Sequence, residues 1–203
     1  METEFKYNVN DPSVFDSIVE NAEINKMGLE AVETIEMCAV YFDTPDMDFR
    51  KRGIAYRIRQ EDDRITATIK WDVNVEDGLH KREEFNLVVN DERFAEAPDI
   101  GLFISSDAYD VLYEAAGDRK LVRTIDMNYI RKQIKIDTGR SISCISLDRG
   151  EITHADGHKV PISELEIEWY YGDEDDFISL AGLIQKKYSL ESENRSKLQR
   201  AYE

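Results

Sequence analysis

The sequence predicts an α+β protein built around an antiparallel β-barrel. Apolar and polar residues alternate, as in strands with one buried face, in nine segments of the 203-residue chain. Turn-forming stretches such as EDDR (61–64) and VEDG (75–78) separate neighbouring segments in the manner of hairpins. Helical periodicity lies between only some of the strands, which favours an antiparallel barrel over a parallel α/β sheet.

The elements follow from local pattern, taken in chain order. We predict strands over residues 2–9, 34–42, 54–60, 63–71, 80–89, 120–127, 128–137, 141–151 and 161–171. A first helix follows Asp11-Pro12-Ser13, which offers an N-cap and a proline at the first helical position. A second helical region lies within 91–116. A third runs from Asp173 to Lys187, with an apolar stripe formed by Phe177, Leu180, Ala181 and Ile184.

Length and composition limit the classes of protein. A chain of 203 residues with 41% hydrophobic residues can bury a substantial core, so one domain over 1–203 is expected. Forty-three acidic residues against twenty-six basic ones give a formal net charge of −17, which argues against binding to nucleic acid or to an anionic membrane surface.

The sequence has few cysteines and histidines and lacks a long apolar run, and these features bear on location and on metal binding. No apolar run reaches the roughly 20 residues that cross a bilayer, and the acidic start differs from a signal peptide, so we expect a cytoplasmic protein. Cys38 and Cys144, both in predicted strands, are expected to be buried reduced thiols. His80, His154 and His158 are expected in exposed loops and not in a zinc site.

Charged side chains collect on one face of each predicted strand. Side chains two residues apart share a face and lie roughly 6–7 Å apart along it. The resulting polar faces carry Glu2, Glu4 and Lys6; Arg57 and Arg59; Thr66, Thr68 and Lys70; Arg82, Glu84 and Asn86; Arg131, Gln133 and Lys135; and Glu164, Glu166 and Glu168. Any one strand fits an ordinary polar face in water. As a set, acids gather on the first and last strands and bases between them, which indicates a tunnel lined by carboxylates and cations.

Such a tunnel has a chemical use. Clustered carboxylates repel one another unless a hard divalent cation joins them, and Mg²⁺ and Mn²⁺ prefer oxygen ligands. Arginine and lysine facing that metal can hold phosphate oxygens. Because phosphoryl transfer depends mainly on positioning and charge neutralisation, these residue types indicate chemistry on a linear polyphosphate.

Several motifs together resemble the CYTH family, the triphosphate tunnel metalloenzymes, which includes class IV adenylate cyclases, thiamine triphosphatases and inorganic triphosphatases. The matching stretches are E-x-E-x-K at the start, YFDTPDMDFRKRGIAYRIR (41–59), SLDRGEI (146–152), SELEIE (163–168) and RSKLQRAY (195–202). The stretch IKWDVNVEDGLHKREEFNLVV (69–89) is similar in particular to bacterial inorganic triphosphatases. The chain departs from the family's closing S-K-x-x-R-G-Y in having Ala201 at the glycine.

The resemblance implies a fold and a set of site residues. The fold is an eight-stranded antiparallel barrel around a polar tunnel, with flanking helices. The expected ligands of Mg²⁺ or Mn²⁺ are Glu2, Glu4, Asp148 and two of Glu164, Glu166 and Glu168, which share one face. The expected phosphate-binding residues are Lys6, Arg57, Arg59, Lys70, Arg82, Arg131, Lys197 and Arg200. Glu2, Glu4, Lys6, Arg57 and Arg59 are the expected catalytic residues, and Glu84 is expected to orient an arginine through an ion pair.

The favoured hypothesis is a divalent-metal-dependent hydrolase that cleaves tripolyphosphate to pyrophosphate and phosphate. One alternative keeps the fold and changes the reaction, to an adenylate cyclase of class IV type or a thiamine or nucleoside triphosphatase. Another is a binding module that captures triphosphates without turnover. In each case the partner is a small triphosphate, and the protein is expected to be a monomer or homodimer.

Overall fold

The computed structural model describes residues 1–90 and 98–203, except for the side chain of Asp72. Its strands are β1 (Glu2–Asn8), β2 (Glu33–Asp43), β3 (Ala55–Glu61), β4 (Arg64–Glu76), β5 (Leu79–Val88), β6 (Val122–Asp137), β7 (Ser141–His154), β8 (Lys159–Gly172) and the short β9 (Glu191–Ser192). Its helices are α1 (Ser13–Val19), α2 (Ala22–Met27), α3 (Asp48–Lys51), α4 (Asp107–Ala116), α5 (Glu174–Tyr188) and α6 (Lys197–Arg200), with a 3₁₀ turn at Ile100–Phe103.

Eight strands close into an antiparallel barrel, which confirms the predicted fold. Neighbouring strands follow the order β5-β4-β3-β2-β6-β7-β8-β1, and β1 also pairs with β5 to complete the ring. The two-residue β9 pairs with Tyr7 and Asn8 of β1, beyond the residues Glu2 to Phe5 that pair with β5. The predicted turns at 61–64 and 75–78 join β3 to β4 and β4 to β5.

Two sequence predictions need correction. Residues 120–127 and 128–137, predicted as two strands, form the single strand β6, which pairs with β7 without interruption from Ile125 to Asp137. Strand β9 was missed because two residues are too few to show alternation. The second helical region is represented by the 3₁₀ turn and α4, while the part of that prediction covering 91–97 lies outside the described residues.

The helices cover the outer faces of the barrel. The predicted stripe of α5, Phe177, Leu180, Ala181 and Ile184, is buried against outward-facing residues of β1, β6, β7 and β8. On another side, Phe103 and Leu112 of the 3₁₀ turn and α4 pack against Ile58 and Ile69 of β3 and β4. The apolar faces of the strands therefore point outward into a helical cover, which leaves their charged faces inside.

The interior of the barrel has one section lined by charged residues and another section lined by apolar residues. Ile35 and Tyr41 of β2 face the central cavity, so Met37 and Ala39, which lie between them at alternate positions, share the inward face. Met37 and Ala39 belong to a buried cluster with residues of β6, β7, β8 and Ala201. The charged section is thus backed by an apolar section. In the part of the chain that the structure describes, no helix has the length and hydropathy needed to cross a membrane.

Candidate active site

A cavity of about 510 Å³ occupies the charged section of the barrel. Eleven predicted site residues line it: Glu2, Glu4, Lys6, Arg57, Arg59, Lys70, Arg82, Arg131, Glu166, Glu168 and Lys197. Among the described residues, the other three members of the predicted set, Asp148, Glu164 and Arg200, do not reach the cavity wall. They are buried next to residues that do, as the ion pairs below show.

Strand register brings these side chains together from distant parts of the sequence. Pairing of β1 with β8 sets Glu4 opposite Glu168 and Lys6 opposite Glu166. All four side chains point to the same face, because directly paired residues of antiparallel strands share a face and residues two apart on one strand do so too. On the far side of the barrel, Tyr41 of β2 pairs with Arg57 of β3. The acidic β1 and β8 therefore adjoin each other, with the basic β3 and β4 across the interior.

One carboxylate cluster is centred on Asp148, Glu164 and Glu166, each offering an oxygen within 4.8 Å of the others. The ammonium of Lys197 lies among them, with Nζ 2.8 Å from Asp148 Oδ2, 3.0 Å from Glu166 Oε1 and in contact with Glu164 Oε1. Burial alone would lower the pKa of Lys197, but the three carboxylates hold it well above its usual range. Lys197 is therefore charged and neutralises part of this cluster.

Two more cations hold the same carboxylates from the cavity side. Arg131 binds Asp148 in bidentate fashion, Nε to Oδ1 at 2.7 Å and Nη2 to Oδ2 at 2.6 Å, and reaches Glu166 Oε2 at 2.7 Å. Lys6 Nζ lies 2.5 Å from Glu166 Oε1 and 3.1 Å from Glu4 Oε1. Although burial raises the pKa of Glu166, these cations and Lys197 hold it well below its usual range. Glu166 is ionised and fully engaged.

A second acidic group comprises Glu2, Glu4 and Glu168. Lys70 Nζ lies 2.9 Å from both Glu2 oxygens, and the Arg82 guanidinium bridges Glu2 and Glu4. Glu168 has no cation within 4.0 Å among the residues that the structure describes. Burial and the charges of Glu2 and Glu4 raise the pKa of Glu168 to about 7. This carboxyl group is therefore close to half protonated at neutral pH.

Arg57 and Arg59 form the least neutralised part of the wall. Both guanidinium groups contain an Nε atom that is buried without a hydrogen-bond partner among the described residues. Arg59 reaches Glu61 at 2.8 Å, whereas Arg57 has no carboxylate within 4.0 Å in the described parts of the chain. Burial and the adjacent charge of Arg57 lower the pKa of Arg59. Buried donors without acceptors are costly, so this pair is suited to receive an anion.

The structure adds residues that the sequence did not indicate. Tyr41 and Tyr129 line the cavity, and the Lys197 ammonium lies 5.4 Å from the centre of the Tyr129 ring. A tyrosine on a strand is an ordinary barrel residue, so only the fold could reveal their position. The predicted ion pair of Glu84 with an arginine is corrected, because its carboxylate pairs with Lys70.

The expectation for His80 was wrong. This side chain is 1% exposed and lies in β5, not in a loop, because it belongs to the inward face that also carries Arg82. His154 ends β7 and His158 lies in the exposed turn that follows. Similarly, Cys144 is a buried free thiol as expected, whereas Cys38 is free but exposed.

The acidic groups suit a hard divalent cation. The cluster of Asp148, Glu164 and Glu166 offers only oxygen donors, the ligand type that Mg²⁺ and Mn²⁺ prefer. Glu2, Glu4 and Glu168 are a second all-oxygen set, in which strand pairing puts Glu4 opposite Glu168. The donor chemistry therefore fits the metal that the resemblance implies.

Known proteins similar to this chain include one relative by sequence and two solved structures. An inorganic triphosphatase of Haemophilus influenzae is 28% identical over 163 residues, or 80% of this chain, which spans only 44% of the length of that relative. HpAC1 of Hippeastrum, described as a candidate adenylyl cyclase with a dominant triphosphatase activity, superposes over 100% of this chain and 95% of its own with a TM-score of 0.75 and 19% identity. A candidate adenylate cyclase of Bacillus halodurans matches over 100% and 98% of the two chains with a TM-score of 0.64 and 20% identity.

At these identities the two solved structures establish the shared fold. The family assignment comes from the sequence profile of the CYTH domain, which matches residues 1–202. Those residues contain all the strands of the barrel and every charged residue described above. The chain therefore belongs to the CYTH domain family.

Proposed function

We propose that the protein is a triphosphatase that hydrolyses inorganic tripolyphosphate to pyrophosphate and phosphate with Mg²⁺ or Mn²⁺. The observation that carries this proposal is the presence, within one 510 Å³ cavity, of Arg57 and Arg59 together with the carboxylates of Glu2, Glu4, Glu166 and Glu168. Arginine donors suit phosphate oxygens, and the carboxylates suit the divalent cation that a polyphosphate carries. The inorganic triphosphatase among the relatives supports the same choice of substrate.

The cations of the wall bind and orient the phosphate chain. In this proposal Arg57 and Arg59, which line the cavity, hold one end of the substrate. Lys6 and Arg82, which touch carboxylates on β1 and β8, are placed to contact phosphate oxygens nearer the acidic side. Such fixed donors stabilise the charge that spreads over the phosphoryl oxygens in the transition state.

Asp148, Glu164 and Glu166, together with Glu2 and Glu4, would hold the metal. When bound, the divalent cation supplies positive charge that offsets the charge of the phosphate oxygens. Glu168 has a different role in this proposal. Its carboxylate, which has no cation within 4.0 Å among the described residues, accepts a proton from the attacking water as the new O–P bond forms and the bridging P–O bond breaks. The pyrophosphate leaves with the bridging oxygen and the electron pair of the broken P–O bond.

A phosphate-release panel tests this function. Tripolyphosphate, ATP, thiamine triphosphate and pyrophosphate are each supplied with Mg²⁺, Mn²⁺ or a chelator, and the products are separated. We expect metal-dependent release of one phosphate from tripolyphosphate, and the strongest turnover with that substrate. Arg123→Met is a matched control, because Arg123 lies on β6 with its side chain 63% exposed and paired with Asp126.

Two results would replace the proposal with a rival. Formation of cyclic AMP and pyrophosphate from ATP would establish a cyclase. This reaction is the first to check, because two of the similar structures are described as candidate adenylyl cyclases. Tight calorimetric binding of tripolyphosphate with no phosphate release under either metal would establish a binding module.

A further inference from the structure

Helix α6 is a single turn that carries Lys197 to the wall of the cavity. It is closed by a capping box, in which the Gln199 N–H donates to Ser196 Oγ at 3.1 Å and the Ser196 N–H donates to Gln199 Oε1 at 2.7 Å. A helix of one turn gains too few hydrogen bonds to offset the cost of nucleation. Contacts outside the helix must therefore fix its position, and with it the position of Lys197.

The segment that precedes α6 completes the seam where the barrel closes. Direct pairing of β1 with β5 covers only Glu2 to Phe5 of β1. Beyond Phe5 the same edge of β1 pairs with β9, and the Glu193 N–H donates to the carbonyl oxygen of Lys6 at 2.9 Å. From β5, Nε2 of His80 lies 2.9 Å from the carbonyl oxygen of Glu193, which can only accept a hydrogen bond. The backbone of Glu193 is thus joined to both strands of the seam.

The side chain of Glu193 connects this seam to Arg195. Its buried carboxylate accepts hydrogen bonds from Nδ2 of Asn8 at 2.9 Å and from three N–H groups of Arg195, the backbone N at 2.9 Å, Nε at 2.8 Å and Nη2 at 2.7 Å. Although burial raises the pKa of Glu193, the hydrogen bonds from Arg195 and Asn8 lower it to about 2. Arg195 also reaches Glu203, on the far side of α6, at 2.5 Å. An ionised, fixed carboxylate therefore holds the chain two residues before Lys197.

We propose that Glu193 and Arg195 are positioning residues, whose ion pair holds α6 so that the Lys197 ammonium stays at the carboxylate cluster and at the cavity wall. Neither residue lines the cavity within the described structure, so neither acts by touching a substrate held there. Only Ser196 separates Arg195 from Lys197, and the Glu193 carboxylate binds the backbone N–H of Arg195 as well as its guanidinium. Release of Arg195 should therefore displace Lys197. This inference rests on the proposed function only where it gives Lys197 a contact with substrate.

The position of Lys197 can be followed without turnover, in ¹H–¹⁵N spectra of the lysine ammonium groups of the full chain in a chelator. A buried, ion-paired ammonium exchanges its protons with water more slowly than an exposed one, and Lys197→Met identifies the Lys197 signal. Arg195→Met should shift or broaden that signal and leave the signal of Lys70, which Glu2 holds at 2.9 Å, unchanged. Glu193→Met breaks the same pair without leaving a buried carboxylate, so it should have the same effect and serves if Arg195→Met does not fold. An unmoved Lys197 signal in the variants would overturn the proposal.

A double-mutant cycle gives the kinetic test. Arg195→Met should lower kcat/KM for tripolyphosphate roughly tenfold or more, because displacing a substrate-binding group by about 1 Å can cost up to about 100-fold. In a Lys197→Met background the same change should cost about twofold or less, since a residue that acts through Lys197 then has nothing to position.

Glu203→Gln is the matched control. Its pair with Arg195 joins side chains that are 56% and 46% exposed, so its loss should leave both kcat/KM and the Lys197 signal close to those of the unaltered chain. An equal loss of kcat/KM from Arg195→Met in the two backgrounds would show that Arg195 acts by another route and would overturn the proposal. If the unaltered chain does not hydrolyse tripolyphosphate, the proposed function fails, and the ammonium spectra still decide whether Glu193 and Arg195 position Lys197.

Discussion

Arg57 and Arg131 offer a matched test of how the cavity divides its cations between structure and substrate. Both arginines line the same cavity from neighbouring parts of the barrel. Arg131 holds Asp148 in bidentate fashion, and Asp148 is 0% exposed. Arg57 has no carboxylate within 4.0 Å among the described residues. We therefore expect Arg131→Met to destabilise the fold and Arg57→Met to leave the fold intact while impairing catalysis.

The magnitudes follow from the partners that each change leaves behind. Removing Arg131 leaves a buried carboxylate with Lys197 as its remaining cation, which should cost about 3 kcal/mol, the lower end for breaking a buried ion pair. For a chain of this size that corresponds to a fall in Tm of roughly 6–12 °C. Removing Arg57 breaks no ion pair, so the change in stability should stay within about 1 kcal/mol. Loss of one charge-assisted contact to phosphate, about 2 kcal/mol, should lower kcat/KM about 30-fold.

Thermal unfolding in a chelator gives the stability effect, and tripolyphosphate hydrolysis with Mg²⁺ gives the catalytic effect. Arg123→Met should change neither, because its ion pair with Asp126 is exposed. The reasoning fails if Arg57→Met lowers Tm as much as Arg131→Met does, since Arg57 would then have a structural partner. It also fails if Arg57→Met retains full kcat/KM.

Three further predictions follow from the same cavity. The pKa of Glu168 is raised to about 7 in the folded state, so the folded state binds more protons than the unfolded state between about pH 4.5 and 7. The Tm measured in chelator should therefore fall as the pH rises through that window. Glu168→Gln removes this group and should flatten that part of the curve of Tm against pH. Lys197→Met removes the ammonium that neutralises one carboxylate cluster, so it should lower Tm in chelator, and Mn²⁺ should then raise Tm more than it does in the unaltered chain. Gly150→Ala should destabilise the barrel by about 1–3 kcal/mol, measured by urea unfolding, because the added Cβ would overlap the backbone of Asn128 and Tyr129 on the paired strand.

Alternation predicts which residues of one strand share a face. Arg57 and Arg59 share a face whatever the strand pairs with, but AYRIRQ alone also fits a polar face in water, and only the set of strands together indicated that this face points inward. Pairing partners and distances could not be expected in this way. The sequence does not show that Glu84 reaches Lys70, because that contact depends on the register of β4 and β5, which a bulge between Trp71 and Asn74 shifts.

His80 shows the same limit more sharply. The local sequence GLHK follows a turn, and only closure of β5 against β1, opposite Glu4, buries the ring. The apolar section of the interior was also beyond prediction from alternation. Met37 and Ala39 lie at alternate positions with the cavity residue Tyr41, so alternation assigns all three to the inward face. Alternation does not say at which height along the barrel axis each residue lies.

The ion pairs explain why such a cavity would depend on a metal. Nine basic and eight acidic side chains line it, so the wall is close to neutral although the whole chain carries −17. Of the predicted phosphate-binding cations, all but Arg57 contact a carboxylate within the described structure. If these basic side chains bind a polyphosphate, the carboxylates that they now pair with lose their cations. Because an unpaired buried charge costs several kcal/mol, this exchange has a low free-energy cost only when a metal ion binds the carboxylates. Metal and substrate should therefore bind with positive coupling, each tighter when the other is present, as calorimetric titrations of Mn²⁺ with and without tripolyphosphate can measure.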